Sequence, residues 1–379
     1  MRLSLLMLPK LIKIGNSLEN VEEELEKLSL GNKALIVHGK TQTCKIAEKI
    51  KRVMGDYKVI EACVEKVSPQ TVSTLQKVVK ENNIDFCLAV GGGTSIDAAK
   101  YTAYESKKPL VVFPTAPSHD GIASPNVSLK GWMKPYSLVA TPPIAVLYHL
   151  PTLANAPYEL VRAGVGDALA KYTASRDLLL ALDTHKCEED ASYEDLRAVA
   201  YEHFITSAKI VTKEIERFRE EGWEDVSSWL GTDSYKTFVS NLFFALFSSG
   251  LGMAKINSSV GASGSEHNIA HALQCNNRKH GEKVALASIP MLYLQQSCLN
   301  EDKIFGMDWK TIREHLSCLG LPTTVKELSI KDSEMVNAVL KGLQIGKMRK
   351  RYTILDFYAE KEKLNESSVY SILKETKLI

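Results

Sequence analysis

The segment Leu88–Tyr104, LAVGGGTSIDAAKYTAY, carries most of the architectural information in the chain. An apolar run ends in three consecutive glycines, Gly91, Gly92 and Gly93, and a small-residue segment with helical character starts at once. A helix start offers N–H groups that lack intrahelical partners and a partial positive charge, so it suits a phosphate. Residues without side chains let the backbone approach that phosphate closely. Thr94 and Ser95 add hydroxyl donors. The alternative is a tight strand-to-helix turn with no ligand, although three glycines exceed what such a turn requires. The stretch is neither GxGxxG nor a P-loop, so alone it names no cofactor.

The flanking sequence repeats the same strand-to-helix rhythm. KALIVHG (33–39), YKVIEAC (57–63), DFCLAVGG (85–92) and PLVVFPT (109–115) are short continuous apolar runs, read as buried strands. Between them, TCKIAEKIKRVMG, SPQTVSTLQKVVKENN and TSIDAAKYTAYES have helical spacing. Strands apolar on both faces and alternating with helices predict a parallel sheet covered on both sides, a Rossmann-like doubly wound α/β domain. Ligands of such sheets sit at the carboxyl ends of the strands. The loop after the fourth strand, PTAPSHDGIASPNVSL, leaves the sheet at that edge and presents Thr115, Ser118 and Asp120. YSLVATPPIAVLYHL then returns to strand-like patterning, and from about residue 151 nearly every segment reads helical. The expected organisation is a dinucleotide-binding α/β domain over 1–150 and an all-α domain over 151–379.

Composition excludes several classes. The chain has 379 residues, 45% hydrophobic and 24% charged, with a formal net charge of +2. That balance makes no case for a nucleic-acid partner. No run of about 18 apolar residues is apparent, so no membrane span is expected. The N-terminal MRLSLLMLPKLIKIG is cut by Pro9 and Lys10 and reads as a short strand or arm rather than a signal peptide. Seven scattered cysteines without a CxxC pair fit a reducing, cytoplasmic setting better than a disulfide framework.

The helical half holds three candidate metal ligands. GVGDALAKY puts Asp167 near a helix start, SGSEHNIAHAL carries His267 and His271 four residues apart on one helix face, and His280 precedes an apolar helix. Imidazole and carboxylate suit zinc, and three protein ligands leave a position for substrate or water; ferrous iron accepts the same set. Each residue also has a plainer reading, an aspartate as a helix cap and a histidine as hydrogen-bonded packing. Spacing alone does not choose between them.

Taken together these motifs resemble a known family. GGGTSIDAAK is similar to the GGGSxxDxAK signature of the iron- and zinc-dependent polyol and alcohol dehydrogenases that share the dehydroquinate synthase fold. GDALAKY, HNIAH and HGEKVA resemble that family's three metal segments, in its order, and the resemblance covers roughly residues 10 to 355. PTAPSHDGIASPNVSL and RYTIL (351–355) resemble the sn-glycerol-1-phosphate dehydrogenase branch, archaeal-type enzymes of ether-lipid synthesis. The resemblance implies that Asp167, His267 and His280 hold zinc or ferrous iron, with Asp167 and His267 also facing substrate. It implies that Gly91, Gly92, Gly93, Thr94 and Ser95 cradle the pyrophosphate of NADPH or NADH. Asp97 would help hold the glycine turn, with Lys100 on the same helix. Thr115 and Ser118 would touch the nicotinamide side, Asp120 the substrate hydroxyls, and His271 would relay a proton. Where many relatives have an aspartate after the first strand, this chain has Gly39 and then Lys40, which admits a 2′-phosphate.

The implied reaction is reversible reduction of dihydroxyacetone phosphate to sn-glycerol 1-phosphate. The implied partner is therefore a small phosphorylated substrate, whose phosphate could meet the 124–128 segment, His119, or Arg278 and Lys279. The helical half leaves surface for subunit contacts, and a homo-oligomer is expected. Three rivals stand beside this reading. A glycerol dehydrogenase would prefer unphosphorylated polyol. A dehydroquinate synthase-like lyase would carry a basic segment where this chain has HDGIASPN. A nucleotide-binding protein with a structural metal would need a fourth protein ligand.

Overall fold

The computed structural model describes residues 8–128, 137–223, 225–273, 275, 278–361 and 363–379. The chain divides into two compact units, Met1–Pro157 with Met253–Ser258, and Tyr158–Gly252 with Ser259–Ile379.

The first unit is built on a six-stranded sheet. Its strands are β1 (Lys10–Lys13), β2 (Lys33–His38), β3 (Lys58–Cys63), β4 (Phe86–Gly91), β5 (Leu110–Pro114) and β8 (Ala145–Tyr148), in the order β1-β8-β5-β4-β2-β3. Every pairing is parallel. The four runs read from the sequence are β2 to β5, and they are continuous because helices pack on the sheet. Ile36, Leu88, Val90, Val111, Phe113 and Leu147 share one buried cluster with Ala47 and Ile50 of the Gln42–Val53 helix. The helix Pro69–Glu81 begins as its sequence directs: Ser68 accepts from the Thr71 N–H, and Pro69 takes a position where no N–H is needed. From β2 the chain steps outward to β3, then returns to the other side of β2 for β4 and runs outward again. The switch point therefore lies between the carboxyl ends of β2 and β4, where open α/β sheets bind ligands.

The N-terminal arm forms the short strand its sequence suggests, and one later run divides in two. Residues 10–13 of the N-terminal arm are β1, the edge strand beside β8; residues 1–7 lie outside the described residues. YSLVATPPIAVLYHL is two strands, because Pro142 and Pro143 cannot donate to a ladder. β7 (Ser137–Val139) pairs antiparallel with β6 (Asn126–Ser128) in a separate ribbon, and β8 joins the main sheet.

Beyond residue 150 the described elements are helices, apart from one isolated bridge between Ile304 and Met307. The helix Asp233–Ile256 is long and apolar enough by length and composition to cross a bilayer, which qualifies the expectation from the sequence, yet 67% of its apolar window is buried within the protein.

The second unit contains an unusually close helix crossing. A Cβ at Gly166, on the helix Tyr158–Leu169, would lie 2.3 Å from the Gly281 carbonyl oxygen. A Cβ at Gly281, on the helix His280–Leu299, would lie 1.8 Å from that of Ala163. Two helix backbones touch here, which only glycine permits. Gly281→Ala is expected to cost about 3 kcal/mol, the upper range for overpacking against rigid backbone. Gly55→Ala is the control, since its added methyl meets nothing closer than Glu22 at 3.5 Å. Urea denaturation of both variants measures the difference.

Candidate functional site

The glycine crossing fixes a constellation in the second unit. Asp167 follows Gly166 and His280 precedes Gly281, so apposing the glycines apposes the two side chains. The helix Ser265–Ala272 supplies His267, and the candidate donor atoms of Asp167, His267 and His280 all lie within 4.8 Å of one another. Ala170, just past the first of these helices, forms a small buried cluster with Ala270 and Val284 of the other two. Asp167 and His267 are buried, His280 is exposed, and the His267 and His280 rings are 5.1 Å apart. One carboxylate and two imidazoles converging on a partly open point fit a divalent transition metal with coordination left for a substrate.

Three residues that the sequence reading did not single out shape this site. Glu266 is wholly buried, and its Oε1 lies 2.6 Å from Nδ1 of His267. The Gly264 N–H donates to Oε1 at 2.9 Å and the Thr173 hydroxyl to Oε2 at 2.8 Å. A carboxylate at Nδ1 keeps the proton there and directs the Nε2 lone pair inward. Lys171, also fully buried, reaches Asp167 Oδ1 at 3.3 Å and donates to the Ala262 carbonyl at 3.0 Å. Asp177 holds the next layer, accepting from the Ser265 N–H, Gln295 and the Ile354 N–H. Burial, with Glu266 close by, pushes its carboxyl up to about 7. The one legible signal was the Glu–His dipeptide at 266–267. Lys171 and Asp177 sit in ordinary helical patterning and gave none.

Charge here follows from burial set against close partners. Desolvation alone would raise Asp167, but Lys171 and then His267 outweigh it and hold the carboxyl well below the usual range. Burial would lower His267, but Asp167 and Glu266 overcome it and raise it. His271, one turn past His267 with its ring 5.9 Å from that of His280, is driven well below its ordinary value. Burial is the main cause, followed by the positive field of Arg349, His280, His267 and Lys283. Arg349 is seated by hydrogen bonds to Asn268 Oδ1 at 2.7 Å and Ser263 Oγ at 2.9 Å. Arg278 turns elsewhere, donating to the Glu327 carbonyl, while Asn276 and Asn277 of the same turn lie outside the described residues.

In the first unit the glycine turn ends β4 and opens the helix Gly93–Glu105. Gly91 has φ +154°, and a Cβ there would strike Ser95 Oγ at 2.6 Å. A Cβ on Gly93 would lie 2.8 Å from His119 Nε2, and one on Gly121 would lie 2.4 Å from His119 Nδ1. The imidazole is thus wedged between two glycines. Its Nδ1 accepts from the Gly121 N–H at 2.9 Å, which leaves the proton on Nε2, a buried atom with no hydrogen-bond partner among the described residues. A bare helix start, the buried Ser95 hydroxyl and an orphaned ring N–H fit an anion such as a pyrophosphate. Thr115 donates its N–H to the Gly91 carbonyl at 3.1 Å, and Ser118 Oγ stands 4.0 Å from where a Gly92 Cβ would be. Thr94 is exposed and Asp120 half-buried. Asp97 reaches the Ser128 N–H rather than the glycines, and buried Lys100 donates to the Gly121 and Asn126 carbonyls. Both side chains therefore tie down the loop that carries Asp120. Gly39 and Lys40 follow β2, with Lys40 Nζ 2.6 Å from Glu65.

Comparison with known proteins gives the family and the fold class. A family profile for iron-containing alcohol dehydrogenase matches residues 13–157. The fold is that of solved dehydrogenases of this class, among them a probable glycerol dehydrogenase from Sinorhizobium meliloti 1021. That likeness has a TM-score of 0.73 and 20% identity, over 97% of this chain and 96% of the other. Sequence narrows the class. A glycerol-1-phosphate dehydrogenase [NAD(P)+] of Sulfurisphaera tokodaii is 36% identical over 92% of this chain and 91% of its own length. One of Pyrococcus abyssi is 34% identical over 93% and 94%. The chain belongs to the glycerol-1-phosphate dehydrogenase family. Dependence on a metal and on a nicotinamide cofactor goes with that family.

Glu266→Gln is expected to weaken zinc binding 10- to 100-fold, the usual consequence of losing a carboxylate behind a liganding histidine. Because His267 is raised, a proton competes for it, and metal affinity should fall as pH drops from about 8 to 6. A competitive chromophoric chelator reads both effects without any turnover.

Proposed function

We propose that the protein catalyses reversible, metal-dependent reduction of dihydroxyacetone phosphate by NADPH or NADH to sn-glycerol 1-phosphate, the glycerophosphate backbone of archaeal ether lipids. The observation that carries this reading is the convergence of Asp167, His267 and His280 in a chain of this family. A metal bound there supplies Lewis acidity to the C2 carbonyl oxygen, and the nicotinamide supplies hydride to C2. The remaining tasks fall to the chain. Asp167, His267 and His280 hold the ion; zinc and ferrous iron both suit them. Glu266 aims His267 through Nδ1, and Lys171 holds Asp167 in one orientation. His271, neutral at physiological pH, passes a proton at a ring nitrogen while burial, and then the surrounding cations, disfavour its imidazolium form. Gly91, Gly92, Gly93, Thr94 and Ser95 receive the pyrophosphate, with Thr115 and Ser118 on the nicotinamide side. Asp97 and Lys100 hold the loop from which Asp120 meets the substrate hydroxyls.

The substrate phosphate is assigned to Arg349 and Lys283. Both bear on His271 electrostatically, and Lys283 follows His280 by three residues, about one turn of the same helix. Asn268 Oδ1 and Ser263 Oγ accept from the Arg349 guanidinium and hold it in place. All seven cysteines are unpaired, which supports work in a reducing, cytoplasmic compartment.

The deciding experiment follows absorbance at 340 nm during NADPH oxidation by dihydroxyacetone phosphate, with and without chelator, and resolves the product by chirality. Chelation and Asp167→Ala should both abolish turnover, and the product should be the sn-1 isomer. Faster reduction of unphosphorylated dihydroxyacetone, or in the reverse direction faster oxidation of glycerol than of glycerol 1-phosphate by NADP+, would overturn the substrate assignment. Arg349→Met should raise KM for the phosphorylated substrate about tenfold, the scale of losing one charge-assisted contact. Zinc affinity should stay unchanged, as chelator competition would report.

A further inference from the structure

The sheet register brings a charged pair to the cofactor edge of the first unit. His38 on β2 is level with Val90 on β4 and with Cys63 on β3. One step beyond this line come Gly91, Gly39 and Val64, and one step further along β2 and β3 come Lys40 and Glu65. Gly39 abuts the glycine turn, since a Cβ there would lie 3.9 Å from Ser95 Oγ. Lys40 and Glu65 therefore stand beside the switch point, on the side away from β5. In a doubly wound sheet the strand next to the glycine turn carries, at its carboxyl end, the group that meets the adenosine ribose. An acidic side chain there binds the 2′-hydroxyl, and a cation accommodates a 2′-phosphate. Here the neighbouring strand offers the cation and the strand after it the carboxylate, with Lys40 Nζ and Glu65 Oε1 at 2.6 Å.

We infer that Glu65 sets the preference between NADPH and NADH, by holding Lys40 away from a 2′-phosphate and by repelling that phosphate directly. With the pair closed, the carboxylate accepts from the ribose hydroxyls of NADH. To take NADPH, Lys40 must leave Glu65 for the phosphate, and the uncovered carboxylate then stands as a like charge beside it. The presence of both groups gives dual use with NADPH disadvantaged. The effect is electrostatic between exposed groups, so it diminishes as salt rises. This rests on the reading of the chain as an NAD(P)-linked dehydrogenase.

The test measures binding by calorimetry on protein without added metal, so that it needs no turnover, using NADP+ and NAD+ as probes. In Glu65→Gln the Kd for NADP+ should fall about tenfold, the size expected for removing one like charge a few ångströms from a phosphate in partly screened surroundings. The Kd for NAD+ should stay equal or rise. In Lys40→Met the Kd for NADP+ should rise while NAD+ changes little. Both side chains are more than 60% exposed, at 61% and 64%, so neither change threatens folding. An unchanged NADP+ to NAD+ ratio in both variants, with the wild type binding normally, overturns the inference and leaves the dehydrogenase reading intact. No binding of either dinucleotide by the wild type sinks the cofactor reading, and this inference with it.

Discussion

The backbone-to-backbone contact between Gly166 and Gly281 is the constraint on which the geometry of the Asp167, His267 and His280 cluster rests. The residues beside these glycines, Asp167 and His280, are carried on different helices and are more than a hundred positions apart in sequence. They meet because no Cβ keeps those helices apart. A side chain at either glycine would push the helices apart by more than the tolerance of a coordination sphere, in which ligand distances vary by roughly 0.2 Å. His267 is brought in on a third helix, whose Ala270 shares a buried cluster with Ala170 and Val284.

Around that contact the unit places charge with little solvent to screen it. Asp167, Lys171, Asp177, Glu266 and His267 are all buried, and each has a named partner. Buried charges persist only when paired and hydrogen-bonded. Glu266 illustrates the point, because its two oxygens are occupied by a backbone N–H, a threonine hydroxyl and the His267 ring. Such a network resists rotation of any member, which is what a site pre-formed for an ion requires. The first unit uses a lighter device of the same kind. His119 fits only because Gly93 and Gly121 lack side chains, and its accepting Nδ1 determines which ring nitrogen carries the proton.

Much of this was legible in the residues themselves. Continuous apolar runs alternating with helical spacing gave β2 to β5 and their order along the chain, because strands covered on both faces must be apolar throughout. The Ser68–Pro69 helix start could be read directly, as could the strand-to-helix turn at Gly91. The resemblance identified Asp167, His267 and His280 together. What escaped were residues whose partners lie far along the chain. Arg278 looked suited to a phosphate beside His280, but its guanidinium donates to Glu327, 49 residues on. Asp97 looked like a support for the glycine turn, but it grips Ser128.

Local chemistry and chain periodicity, then, determined the strand-and-helix alternation, the glycine-rich strand-to-helix turn and the kinds of side chain available to a ligand. Each of these depends on neighbours within about one helical turn or one strand. Tertiary structure alone decided which of those side chains converge and what surrounds them. The seating of Glu266 behind His267, the contact of Lys171 with Asp167 and the pairing of Lys40 with Glu65 all depend on helix crossings or strand register. These relations join residues through space, and no local propensity encodes them.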